Sequence, residues 1–375
     1  MKVSIFFNGI YPGFGASVNR ISNYVSGLKA QGASVKIVPC PSVYTGYVLA
    51  RLERFLTPFK VLPLVLKERN RTDIIFSYGH SWQTIVVMKV CLLFSRTKIV
   101  LEVCEKPGTT YASWFYELYP VKLFNLLGTK FIEFKIADGF VVISHALENY
   151  VQLYKSRKAS LIRIPILIDT RAYQKRGDSK WSTKKPYMLH TGLITDQKDG
   201  IINVIKAFVA VCKKRDGNLD FYFTIEKGPR ADIATVKRIV AENGLEDYVH
   251  FLGELEMNEL IDLQANCSML VLNKPENEQN LHNFPTKLGE YLSLAKPVIA
   301  SQVGEMLHYL VDDHNALLLP DNFPESIAMK IEYVLDNPAA MKSISANARE
   351  LACREFDILP NGNKLFRYFQ KLLHG

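Results

Sequence analysis

Residues 282–301 read HNFPTKLGEYLSLAKPVIAS. Pro285 suits the first turn of a helix, where its missing N–H costs nothing. Lys287 and Glu290 lie three residues apart and so share one helical face. The helix is expected to stop at Ala295-Lys296-Pro297 and to feed directly into the apolar run of a strand. A helix delivered straight into a buried strand is half of a βαβ unit, the building block of a parallel sheet. The bare N–H groups around Phe284–Thr286 suit an anion such as a diphosphate. Glu290, one turn further in, is placed to accept hydrogen bonds from ribose hydroxyls. The plain alternative is a solvated Lys–Glu pair on an amphipathic helix.

Working outward, the same alternation runs along the chain. Val3–Phe7, Ser34–Val38, Asp73–Phe76, Lys98–Val103 and Gly139–Ile143 read as buried strands separated by segments of helical length. Asp169–Lys185 is polar and without period, and reads as a linker. The pattern then restarts: strands at Tyr187–His190, Asp220–Ile225, Val249–Leu252, Met269–Leu272 and Pro297–Ala300, with helices at Ile201–Cys212, Ala231–Asn243 and Thr286–Leu294. The expected fold class is α/β: two Rossmann-like, doubly wound domains facing each other across a cleft. The expected boundaries are an N-terminal domain 1–168, a C-terminal domain 169–355, and a segment 356–375 forming a last helix.

Length supports two domains, since 375 residues are enough for about two full cores. No apolar run reaches the ~18 residues of a membrane span, and Lys89 interrupts the best one. The start, MKVSIFFNGIYPG, reads as a first strand and is too short in apolar residues for a signal peptide. Six cysteines form no CxxC pair, which fits buried thiols in a reducing, cytoplasmic compartment. The net charge of +9 is uneven: residues 1–168 carry 21 Lys/Arg against 9 Asp/Glu, and the remainder 25 against 28. The basic half suggests an anionic partner, with charge kept only for solubility as the alternative. Tyr47–Arg71 carries six basic residues among Leu, Val, Phe and Tyr, and Pro58 and Pro63 are expected to kink or split it. It is a candidate contact for the anionic inner face of the plasma membrane, and a core-packing helix with a basic outer face is the alternative. No pattern for nucleic-acid binding accompanies the charge.

Several chemistries are excluded. There is no GxGxxG and no acidic residue closing the second strand, so dinucleotide binding is disfavoured. There is no GxxxxGK[ST], no HExxH or Cys/His cluster, and no DxD-type pair, so no metal is expected. Gly13 and Gly15, between the first strand and a helix near Ala16–Gln31, let backbone N–H groups approach an anion, or simply make a tight turn.

The 282–301 segment resembles the nucleotide-sugar site of the family-4 glycosyltransferases of GT-B fold, in the subgroup P-x-K-x-x-E-Y followed by small residues and Pro-Val. YMLHTGLITDQKDG (Tyr187–Gly200) resembles the strand and loop carrying a diphosphate-binding lysine, here Lys198 after Gly192. His250–Gly253 resembles the loop beside the base, Gly13–Ala16 the glycine loop, Gly304–Leu319 the strand–helix–strand continuation, and Val141–Ser144 the end of the last N-terminal strand. Three departures stand out: His282 replaces the first of two frequent glutamates, Leu193 a frequent arginine, and Glu105 or Cys104 a frequent acceptor-side histidine.

The resemblance implies a retaining, metal-independent hexosyltransferase using a UDP- or GDP-sugar, with no cofactor. Its acceptor would be a glycan or a lipid-linked molecule of cell-surface polysaccharide or glycolipid synthesis. It implies catalytic roles for Glu105, His282 and Lys198. Donor binding falls to Gly13, Gly15, Gly192, Lys198, Gly253, His282, Phe284, Pro285, Thr286, Lys287 and Glu290. His80, Glu105 and Ser144 are candidates on the acceptor side, and the last helix would cross back to the first domain. Two alternatives stay open: a sugar-nucleotide epimerase of similar fold, and a basic peripheral scaffold protein that has lost catalysis.

Overall fold

The computed structural model describes residues 1–13, 15–40, 49–109, 118–173, 179–183 and 185–374, with the side chains of 49–55 left out. It divides into two compact units. The first comprises Met1–Leu167, His282–Phe284 and Ile358–Gly375, and the second Ile168–Leu281 and Pro285–Asp357.

Each unit is built on a six-stranded parallel sheet. In the first, β1 (Lys2–Phe7), β2 (Ser34–Pro39), β3 (Ile74–Tyr78), β4 (Lys98–Val103), β5 (Gly139–Val142) and β6 (Ser160–Arg163) run in the order β2-β1-β3-β4-β5-β6. The strand β6 follows Val141–Ser144, so that segment ends the last strand but one. The sequence of β6, Ser-Leu-Ile-Arg, is short and only half-buried, which hides it from a search for apolar runs.

Right-handed crossovers fix where the helices go. The step from β1 to β2 moves one way along the sheet, and every later step moves the other. Helix Ala16–Ala30 therefore covers one face. Leu49–Glu68, Trp82–Cys91, Tyr119–Gly128 and His145–Tyr154 cover the opposite face. The helix Ile358–His374 packs beside Ala16–Ala30 in the same unit, filling the first face with Ile358, Leu365 and Phe369. Contact is close enough that a Cβ on Gly362 would stand 2.5 Å from the Gly27 Cα.

Leu49–Glu68 runs as one helix through both Pro58 and Pro63, against the expected break. Pro63 is exposed, so water can bond the carbonyl it orphans, and buried Val61 and Val65 hold the turn in place.

In the second unit, β7 (Tyr187–His190), β8 (Asp220–Phe223), β9 (Val249–Phe251), β10 (Met269–Leu272), β11 (Val298–Ser301) and β12 (Leu317–Leu319) run in the order β12-β11-β10-β7-β8-β9. Helices Ile201–Lys214 and Pro324–Asp336 pack together over a core that includes Phe208, Phe221 and Ile331. Each such buried side chain contributes about 1.5–3 kcal/mol. The direction of winding reverses between β7 and β10. That reversal is where the carboxyl ends of neighbouring strands open a crevice in doubly wound sheets.

No helix among the described residues is long and apolar enough to cross a membrane. The six cysteines are free thiols; Cys40, Cys212 and Cys267 are buried, but Cys353 is exposed and Cys91 and Cys104 are partly so.

Candidate active site

The reversal point in the second unit holds a cluster of charge. β7 ends at His190 and passes through Thr191 into Gly192, whose φ of +83° demands glycine. The Gly192 N–H donates to Thr224 Oγ1 at 3.1 Å, tying the loop after β7 to the end of β8. The Lys287 ammonium lies over this glycine, 3.4 Å from where a Cβ would stand. Asp199, at the end of the single turn Asp196–Asp199, is buried and carries two lysines. Lys274, just past β10 and 4% exposed, donates to one carboxylate oxygen, and Lys287 Nζ stands 3.6 Å from the other.

Burial alone would raise the Asp199 carboxyl, but Lys287 and Lys274 pull it below the usual carboxylate range. Burial pushes Lys274 down to about 8, with Asp199 opposing that shift and Lys287 and Lys198 adding to it. Lys198 is exposed and lies near enough to Lys274 to disfavour its charge. Three lysines thus gather around one buried carboxylate at a strand-end crevice, leaving excess positive charge for an anion. His190 is buried and neutral, pushed down to about 4 by burial and then by Lys287. Its Nε2 lies 3.0 Å from the Leu193 carbonyl, which fixes the ring as an Nε2–H donor in its neutral form.

Helix Thr286–Ser293 enters beside this cluster, with Pro285 at its N-cap. Glu290 is half-buried on its third turn position from Lys287. Burial pushes its carboxyl up to about 7, while Lys287 and the Gln264 amide pull the other way. The Gln264 side chain is 1% exposed, and neither its Nε2 nor its Oε1 has a hydrogen-bond partner among the described residues. Tyr291 locks the back of the helix through a 2.9 Å hydrogen bond with Thr191 Oγ1.

The predicted residues therefore fall into groups. Gly192, Lys198, Lys287 and Glu290 come together with Pro285 and Thr286. Gly253 sits past β9 in an open left-handed turn (φ +83°), outside the lysine cluster. His282 and Phe284 count with the first unit. There Ser144, the N-cap of helix His145–Tyr154, donates from Oγ to the His282 carbonyl at 2.5 Å, and Asn283 Nδ2 donates to Glu105 Oε1 at 3.4 Å. Gly13 is exposed, and Gly15 (φ +115°) stands at the start of helix Ala16–Ala30. His80, past β3, bonds Ser77 Oγ through Nδ1 at 3.0 Å and is held neutral, pushed down to about 3 by burial. Glu102 is a structural group: Arg20 (2.7 Å), Tyr24 and Cys104 all bond it within the first unit.

Asp199, Lys274 and Gln264 were missed from the sequence. A lysine closing the apolar run MLVLNK, and an aspartate against Gly200, are the signals that could have marked the first two.

Two six-stranded parallel sheets, each flanked by helices, are the arrangement of the GT-B fold. Comparison with known proteins agrees. Residues 173–351, a little under half of the chain, match the family described as glycosyl transferases group 1, and the fold is that of GT-B glycosyltransferases. It is 25% identical over 218 residues to the uncharacterized glycosyltransferase MJ1178 of Methanocaldococcus jannaschii, covering 58% of this chain and 55% of that protein. The chain thus spans a little over half the length of that curated relative. Among solved structures, Anabaena Alr3699/HepE in complex with UDP-glucose superposes with a TM-score of 0.74 at 16% identity, over 98% of this chain and 99% of that one. The sucrose-phosphate synthase of Thermosynechococcus elongatus gives 0.74 at 17% identity, over 99% and 98%. At such identities the structural likeness speaks for the fold.

Proposed function

We propose that the protein transfers a hexosyl group from a UDP- or GDP-sugar to a glycan or lipid-linked acceptor, with retention and without a metal, in cell-surface polysaccharide or glycolipid synthesis. The observation that carries this reading is the trio Lys274–Asp199–Lys287 beside Gly192, one turn before Glu290. A departing nucleoside diphosphate gains negative charge in the transition state, so cations fixed beforehand lower the barrier. Lys287, over the glycine loop, and Lys198, in the open, are the groups that meet that charge. Asp199 holds Lys287 and Lys274 in place, and the lysines supply the positive charge that Leu193 does not. N–H groups at the start of helix Thr286–Ser293 add their dipoles. Glu290, once ionised, accepts from the ribose hydroxyls.

The acceptor is assigned to the first unit, whose residues 1–168 hold the excess of basic residues. Glu105 is its candidate acid–base group; Ser144 and His80 line the acceptor in this reading, and His282 contacts the transferred sugar. The basic segment Tyr47–Arg71 is proposed as a membrane contact on the cytoplasmic side; its residues 47–48 and the side chains 49–55 lie outside the described residues. Retention rests on the family resemblance.

The test incubates the protein with UDP- and GDP-sugars, lipid extract and a chelator, and follows the anomeric configuration of any product by NMR. Transfer with retention in the presence of chelator supports the proposal. Isomerisation of the donor alone would point to an epimerase, and no turnover together with no nucleotide binding to a scaffold.

A further inference from the structure

Lys198 and Asp199 belong to the single helical turn Asp196–Asp199, between the end of β7 and the helix Ile201–Lys214. One turn of helix is too short to hold itself, and its carbonyls find few partners within it. Here the partners come from far along the chain. Asn273 Nδ2 donates to the Gly200 carbonyl at 3.0 Å, Asn277 Nδ2 to that of Gln197 at 2.8 Å, and Asn280 Nδ2 to that of Lys198 at 3.3 Å. All three asparagines stand in one stretch, NKPENEQN, directly after β10. Turn and stretch both lie in the second unit.

The stretch is itself braced. Asn277 Oδ1 accepts from the Asn280 N–H at 2.9 Å, and the Asn280 amide also donates to the Pro275 carbonyl at 2.8 Å. Ser301 Oγ, at the end of β11, accepts from the Lys274 N–H at 2.8 Å and reaches Asn273 Oδ1 at 3.1 Å. Asn273 is 2% exposed and Asn280 8%. A buried amide is unfavourable unless it is paired, so these pairings specify where the turn stands. Gly200 makes the approach possible: its φ is +52°, and a Cβ there would collide with the Asn273 amide. A second lock acts alongside, since Lys274 donates to the Asp199 carboxylate. The backbone from Gln197 to Gly200 is therefore fixed, while the Lys198 side chain is exposed.

We propose that Asn273, Asn277 and Asn280 are positioning residues for the donor diphosphate, clamping the Asp196–Asp199 turn so that Lys198 is presented from a fixed backbone. A lysine on a loose loop has backbone and side chain to order when the anion arrives. On a clamped turn only the side chain remains to be ordered, which is preorganisation. The inference rests on the proposed function for the identity of the anion, and adds to it the residues that place one of its lysines.

The experiment is isothermal titration of the full chain with UDP and GDP, in wild type, N277A/N280A, K198A and the variant combining all three changes. N277A/N280A is expected to weaken the better-bound nucleotide by about fivefold, and K198A by about tenfold. In the combined variant the asparagine changes should add less than about twofold to K198A, because a clamp acting through Lys198 has nothing left to position. A merely structural role would add its full fivefold. Asn347 makes the same kind of bond elsewhere in the unit, to the His314 carbonyl at 2.9 Å, and N347A is expected to bind as wild type. Amide hydrogen exchange of the unliganded chain reads the turn directly: residues 196–200 are expected to exchange about tenfold faster or more in N277A/N280A, with the rest of the unit unchanged. N277A alone, at the least buried of the three positions, carries the same comparison should the pair fail to fold. Unchanged affinity in N277A/N280A, additive losses in the combined variant, or unchanged exchange at 196–200 overturns the clamp and leaves the donor site standing. A wild type that binds neither nucleotide overturns the proposed function, and the role of the clamp with it.

Discussion

Glu290 and Lys274 titrate close to neutrality for the same reason, since burial disfavours the charged form of each. With one at about 7 and the other at about 8, kcat/KM for the donor is expected to peak between those values. The acidic limb should vanish in Glu290→Gln, and the alkaline limb should move upward in Lys274→Arg. Stability follows a definite sign. Glu290 is raised above its ordinary 4.5, so the fold holds its proton more tightly than the unfolded chain, and wild-type stability declines as pH rises from about 4.5 through 7. Glu290→Gln should therefore gain melting temperature over wild type at pH 8 and little at pH 5. Asp199→Asn leaves the buried Lys274 without its counter-ion and is expected to cost about 3–5 kcal/mol by urea denaturation. Much of that should return in D199N/K274M, which removes the stranded charge as well. Lys287 and Glu290 were legible because their three-residue spacing is a local property of one helix. Asp199 and Lys274 were not, because they are 75 residues apart and meet only once β7 and β10 are paired.

Elements announced by apolar runs, such as β1, β4, β7 and β10, could be placed from the chain alone. β6 could not, since a half-buried Ser-Leu-Ile-Arg has no distinguishing period. Leu49–Glu68 shows the limit of a local rule. Proline disfavours a helix interior, yet packing on Trp82–Cys91 and the exposure of Pro63 to solvent outweigh that penalty here. The helix pair Ala16–Ala30 and Ile358–His374 depends on Gly27 and Gly362, where backbones touch: a Cβ on Gly27 would lie 2.7 Å from the Ile358 carbonyl oxygen. Gly27→Val is expected to destabilise the first unit by about 1–3 kcal/mol, as overpacking does. Proteolysis of the loosened terminal helix provides the check, and unchanged protection relative to wild type would contradict the packing account.

At the scale of the whole molecule, the split of charge noted in the sequence acquires two locations. The basic excess of the first 168 residues includes the lysines on the outer helical layer of the first unit. In the second unit charge is close to balanced overall, yet Lys198, Lys274 and Lys287 gather around Asp199 at the point where the sheet reverses its winding. The fold class was legible because strand–helix alternation has few topological solutions. The partner chemistry was legible only in part, since sugar and base selection depend on side-chain poses that spacing does not encode. The most direct test of the account is isothermal titration of the full chain with UDP, GDP, UDP-glucose and a GDP-sugar, in wild type, Lys287→Ala and Glu290→Ala. The account predicts that wild type binds at least one of these nucleotides and that each substitution weakens binding by about tenfold or more, as expected for loss of a charge-assisted contact. Absence of binding to every nucleotide, or equal affinity in all three proteins, would contradict it.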